Sequence, residues 1–204
     1  MIARSVCWGG NANEAIMTIS ARILFVTILL PAYLTPGQGA ESRWIDSVNV
    51  TLGKDNNTNK TNAIQFGVQN KWNRTWFNEG AWFVGGFWDA SIAYLKSDIN
   101  EDSSLTDVSL TPFLRLQRDA QLSSGVSPFS QIGLGGHLLS DTKIGDRDLA
   151  TRLQFGPQVG VGIGFGGKGS YELMYQFQYL TNGGIKEPND GLRMHLISFG
   201  YAFQ

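Results

Sequence analysis

At 204 residues, with a net charge of −1 and only 16% charged residues, the chain is no polyelectrolyte, which excludes nucleic acid as an expected partner. No apolar run reaches the ~20 residues that a membrane-spanning helix needs. The single cysteine, Cys7, falls in the leader described next, so the mature chain has neither disulfide nor thiol chemistry to offer.

Residues 1–40 read as a leader. Arg22 precedes an apolar core at residues 23–30, and the small residues Gly37, Gly39 and Ala40 follow, which is the order of a secretory signal. The stretch before Met17 fits no signal pattern, so Met17 is an alternative start; a buried or interfacial helix is the competing reading of the core. Cleavage near Gly39 or Ala40 leaves roughly 165 residues, one domain by length, covering residues 41–204.

After residue 40 the dominant period is two, the signature of half-buried strands. Val48, Val50 and Leu52 alternate with Ser47, Asn49 and Thr51. Ile64, Phe66, Val68 and Trp72 alternate with Gln65, Gly67, Gln69 and Lys71. Trp82, Val84, Trp88, Ala90, Ile92 and Tyr94 share a face of the third run. Further runs cover residues 108–116, 129–138, 153–165, 171–179 and 192–203. Eight such strands can close on themselves and leave no edge.

The apolar face decides the solvent. Tyr171, Leu173, Tyr175, Phe177 and Tyr179 oppose Glu172, Gln176 and Gln178, while His195, Ile197, Phe199, Tyr201 and Phe203 oppose Ser198, Gly200 and Ala202. Large apolar residues against small or polar ones predict a polar lumen and a greasy exterior, the transmembrane arrangement. The expected fold is therefore all-β, an eight-stranded antiparallel up-and-down transmembrane β-barrel, with a soluble β-sandwich as the alternative. Trp44, Trp72, Trp76, Trp82 and Phe203 lie near strand ends and suit an interfacial girdle. A lumen enclosed by eight strands is filled by side chains, which argues against a diffusion pore.

With both barrel termini on the periplasmic side of an outer membrane, the connections near residues 53–62, 96–104, 139–151 and 181–191 face outward. The polar hairpin NGGIKEPNDG at residues 182–191 then sits at the outer leaflet, where lipopolysaccharide is the lipid.

From Gly85 onward the chain resembles the lipid A 3-O-deacylases of the PagL type. The landmarks are GGFWDASIAY from Gly85, PFSQIGLG from Pro128, SDTKIGDRDL from Ser140, QFGPQVGVG from Gln154 and the hairpin from Asn182. The resemblance implies a barrel that hydrolyses the ester at position 3 of lipid A, without metal or cofactor. It also implies a His and a Ser two apart before the hairpin's Asn, and a Glu on the following strand. A serine hydroxyl attacks only after an imidazole takes its proton, and an acid must orient that imidazole.

Those positions are occupied here by Tyr179, Thr181 and Arg193. A phenol with a reference pKa of ~10 is a poor base at neutral pH. Thr181 keeps a hydroxyl but adds a methyl, and Arg193 reverses the charge that would steady an imidazolium. Asn182, Gly183, Gly184 and Asn189 remain as a turn able to aim N–H groups at an oxyanion, although such residues are equally what a tight turn needs. His195 is a rescue base if the register brings it beside Tyr179 and diagonal to Thr181. His137 is expected to serve packing or lumen hydrogen bonds.

Two functions follow: a lipid A esterase working through a modified site, or a silent barrel that binds lipopolysaccharide through Arg193, Lys186 and Arg152. An enzyme of unrelated chemistry lacks a metal-ligand cluster, a phosphate loop or a second triad. The expected partners are lipopolysaccharide and the membrane, with a homodimer as a further candidate.

Overall fold

The computed structural model describes residues 44–55, 61–99, 103–119 and 125–203. The leader, with Cys7, Met17 and the expected cleavage near Gly39 or Ala40, lies outside the described residues. Strands β1 (Ser47–Lys54), β2 (Thr61–Trp76), β3 (Trp82–Ser97), β4 (Ser104–Arg118) and β5 (Val126–Leu139) are followed by a short ribbon, β6 (Lys143–Ile144) and β7 (Arg147–Asp148). Then come β8 (Leu153–Phe165), β9 (Tyr171–Leu180) and β10 (Leu192–Ala202). The eight long strands form one antiparallel meander in which β10 returns to pair with β1 and closes the barrel. This is the transmembrane up-and-down β-barrel that the alternation predicts.

The period of two sorts the side chains as expected, because successive residues of a strand face opposite sides of the sheet. Leu52, Ile132, Leu134, Val161 and Ile197 are among the large apolar residues exposed on the outer wall. Water does not tolerate so continuous an apolar belt on a monomer, so lipid is the solvent it fits. The lumen holds the polar partners. Arg115 pairs with Glu172 at 2.6 Å, donates to Gln131 Oε1 at 2.8 and 3.0 Å, and lies over the rings of Phe87 and Phe129. His137 Nδ1 meets Asp107 at 2.8 Å and its Nε2 meets Gln178 at 3.2 Å, so this histidine belongs to the lumen network. Two cavities of about 10 and 20 Å³ are the size of single waters, in keeping with a filled barrel.

The two ends differ. At the loop end, Ile144 and Leu149 from the segment between β5 and β8 are fully buried among Leu95, Leu105, Leu139, Leu180, Leu192 and Met194. An apolar stopper thus closes a polar lumen. At the other end β2 runs on past Gln69, its last pairing with β1, to Trp76. The wall is accordingly uneven: β2 and β3 have 16 residues each, while β1, β9 and β10 have 8, 10 and 11.

That overhang carries two of the four tryptophans expected of a girdle, Trp72 and Trp76. Trp72 contacts Trp76 edge-on and Trp88 at a tilt, with centroids 6.4 and 6.0 Å apart, and Arg74 lies 5.4 Å over Trp76. Trp72 can lie flat only because Gly86 lacks a side chain: a Cβ there would sit 1.9 Å from the indole. Gly86→Val should therefore dislodge Trp72 and cost about 1–3 kcal/mol, the usual range for overpacking. Equilibrium unfolding in urea together with tryptophan emission would check this; an unchanged midpoint and spectrum would contradict it.

Candidate functional site

The site lies where β9 and β10 meet at the loop end. Register pairs Leu180 with Leu192, Tyr179 with Arg193, and Phe177 with His195. Tyr179 and Arg193 are thus direct cross-strand neighbours on the outer face. The Arg193 guanidinium stands 5.7 Å from the Tyr179 ring centroid, a cation–π contact.

Thr181 follows two residues beyond Tyr179 on the same face, its backbone bridged to Phe155 of β8 by N–H···O bonds of 2.7 and 3.0 Å. Its Oγ1 accepts from the Gly183 N–H at 3.2 Å and from Asn189 Nδ2 at 2.9 Å. Among the described residues no imidazole or carboxylate hydrogen-bonds this hydroxyl. The three positions named from the resemblance are therefore brought together, as a phenol, a hydroxyl and a guanidinium.

The rescue by His195 does not assemble. His195 pairs with Phe177, not Tyr179, one full side-chain repeat further from Thr181 than expected. Its Nδ1 instead meets the Tyr175 hydroxyl at 2.5 Å, and its ring packs on Tyr175 and Phe177. The reason is geometric: the hairpin closes with Leu180 directly opposite Leu192, which fixes every pair below it.

The turn also spends its own donors. The Gly183 N–H goes to Thr181, the Gly184 N–H to Asn182 Oδ1 at 2.9 Å, and the Asn182 N–H to Asn189 Oδ1 at 3.2 Å. Asn182 is fully buried, and its Nδ2 donates to the carbonyls of Leu149 and Lys186 at 3.1 and 2.7 Å. The expected oxyanion donors are thus engaged in building the turn. Gly191 has φ +61°, and a Cβ on it would fall 2.5 Å from the Tyr179 hydroxyl, so the aromatic ring lies on bare backbone. Lys186 and Arg152 are exposed at the same end of the barrel.

Sequence reasoning missed what holds the hairpin. Arg147 is buried, pairs with Asp55 at 2.9 Å, and donates from Nη1 to the Gly191 carbonyl. Asp148 accepts from the Asp190 N–H through its carbonyl at 3.3 Å, and its own N–H donates to Asp190 Oδ2 at 2.7 Å. The β6–β7 ribbon therefore grips the hairpin at both ends, through Leu149 to Asn182 and through Arg147 to Gly191. The available signal was an arginine between two isolated apolar residues, Ile144 and Leu149, in an otherwise polar loop.

The chain and its fold have counterparts among known proteins. Residues 62–202 match the family described as Lipid A 3-O-deacylase (PagL). The Lipid A deacylase PagL of Pseudomonas aeruginosa is 24% identical over 137 residues, 67% of this chain and 76% of that protein. The Lipid A deacylase PagL of Bordetella bronchiseptica is 31% identical over 75 residues, 37% of this chain and 41% of that protein. The crystal structure of the outer membrane enzyme PagL shares the fold with a TM-score of 0.68 at 21% identity, covering 77% of this chain and 99% of that one. The family match begins near the start of β2, earlier than the landmarks from Gly85, and ends with β10. The chain belongs to the lipid A 3-O-deacylase (PagL) family.

Proposed function

We propose that this chain is a bacterial outer-membrane barrel that faces lipid A with the deacylase frame but holds lipopolysaccharide without cleaving it by the family's usual chemistry. One observation carries the reading: Arg193 lies over the Tyr179 ring, and the neighbouring Thr181 hydroxyl is held by amide donors with no base among the described residues bonded to it. A hydroxyl in that setting stays protonated and is a weak nucleophile. A guanidinium at the lipid edge is, by contrast, a good partner for phosphate, since its planar fork matches phosphate oxygens. Arg193 and Lys186 on the hairpin, with Arg152 beside it, supply that chemistry in this reading, and the orientation with the loop end outward gives them the outer leaflet. The oxyanion role of Asn182, Gly183, Gly184 and Asn189 gives way to a structural one.

Lipid A mass spectrometry on cells with and without the protein is the test. The expected result is an unchanged acyl profile. Loss of one 3-hydroxyacyl mass that depends on the protein would overturn the reading in favour of an esterase with a modified site.

A further inference from the structure

One register row runs around the outer wall through Phe177, His195, Lys54, Asn62, Lys96 and Ser104, each opposite the next on five successive strand pairs. Lys54, Asn62 and Lys96 are exposed and face outward. Adjacent strands are about 4.8 Å apart, so the two lysine Cα atoms stand roughly 10 Å from each other, within joint reach of one headgroup. Directly beneath, the next outward row is Ile197, Leu52, Ile64 and Tyr94, and the one below it Phe199, Val50, Phe66 and Ile92. All eight are exposed.

Neither lysine pairs with a described acidic group. Asp55 is bound to Arg147, and Asp98, two residues beyond Lys96, is held by Asn62 Nδ2 at 2.9 and 3.0 Å. Among the described residues, then, two lysines outside any ion pair crown a wall of two apolar rows. Arg193, two residues above His195 on the same face, joins this band to the hairpin.

We propose that the β10–β1–β2–β3 wall seats a phosphate-bearing lipid of the outer leaflet, with Lys54 and Lys96 holding its phosphate and the two apolar rows its acyl chains. This deepens, and rests on, the reading of the barrel as one that faces that leaflet. Simple snorkelling would lift the lysine heads to water without any preference for phosphate. A seat requires that preference.

The protein in neutral maltoside micelles is titrated with bisphosphorylated lipid A, or with the same lipid after removal of its phosphates, and bound lipid is counted by native mass spectrometry. A basic residue at an anionic lipid surface contributes roughly fivefold in affinity, so Lys54→Gln with Lys96→Gln should weaken phosphorylated lipid about 25-fold. The dephosphorylated lipid should be unaffected, and Lys54→Arg with Lys96→Arg should retain binding. Heat-shifted gel mobility verifies that each variant is a folded barrel. Binding within twofold of the parent, equal loss for both lipids, or displacement by millimolar inorganic phosphate alone would overturn the proposal. Lys186→Gln with Arg193→Gln separates the two readings: loss confined to that pair sinks the lysine row and leaves the hairpin reading, and loss confined to the lysine pair does the reverse.

Discussion

Tyr179→His, Thr181→Ser and Arg193→Glu introduced together should give the barrel lipid A deacylase activity through a Ser–His–Glu triad. The backbone already meets the requirement, because residues 179 and 193 are direct cross-strand partners on the outer face, and residue 181 stands two positions along it. Directly opposed residues have Cβ atoms about 4.5–5.5 Å apart, close enough for a carboxylate to orient an imidazole. Asn189 Nδ2 and the Gly183 N–H, which now hold the Thr181 oxygen, remain to position a serine. Triad members act as a unit, so each single substitution should stay inert, while the triple variant should exceed the parent by roughly 10³-fold or more. Its rate should rise with pH through the imidazole's titration near about 6.5, since the base must be neutral to accept the proton. Release of a 3-hydroxy fatty acid from purified lipid A measures all of this. A folded triple variant that releases none would show that the residue correspondence is wrong.

The second large effect concerns Arg147. Removing one partner of a buried ion pair strands the other, at a cost of about 3–5 kcal/mol. Arg147→Ala takes the cation from the buried Asp55 and also frees the Gly191 carbonyl, so its unfolding midpoint in urea should drop sharply. Adding Asp55→Ala should recover part of that loss, because the buried carboxylate that lost its cation is then gone as well. Hydrogen exchange at residues 182–191 should quicken in the single variant before the barrel strands respond. Equal stability of parent and Arg147→Ala would show that the grip on the hairpin contributes nothing.

The strands were legible because one simple rule, alternation, governs them. Strand ends were not: β2 continues through Asn73 and Arg74, where alternation has stopped and the register against β3 shifts between Lys71 and Thr75 before pairing resumes. The sidedness of Tyr179, Thr181 and Arg193 was also legible, since it needs only parity. Their neighbours were harder. The position of His195 depends on where the β9–β10 hairpin closes, and that is set by Arg147 and Leu149 acting on Gly191 and Asn182 from a different loop. The β6–β7 ribbon left no periodic trace, for it consists of two residues per strand and is fixed by burial of Ile144 and Leu149. Local patterns report local structure; contacts across the barrel mouth do not write themselves into them.

The uneven wall has a mechanical consequence. At about 3.3 Å per residue and a tilt near 45°, the 16-residue strands reach roughly 37 Å along the barrel axis, but those of 8 to 11 residues reach only about 19–26 Å. A film of uniform thickness cannot fit both sides. It must compress beside β9, β10 and β1 or let the cylinder lean, at a cost of fractions of a kcal/mol per ångström. The compressed side is the one that bears Tyr179, Thr181, Arg193 and Lys54. Lipids there are stretched sideways and less tightly packed, so the barrel delivers its ledge to the softest patch of the surrounding leaflet.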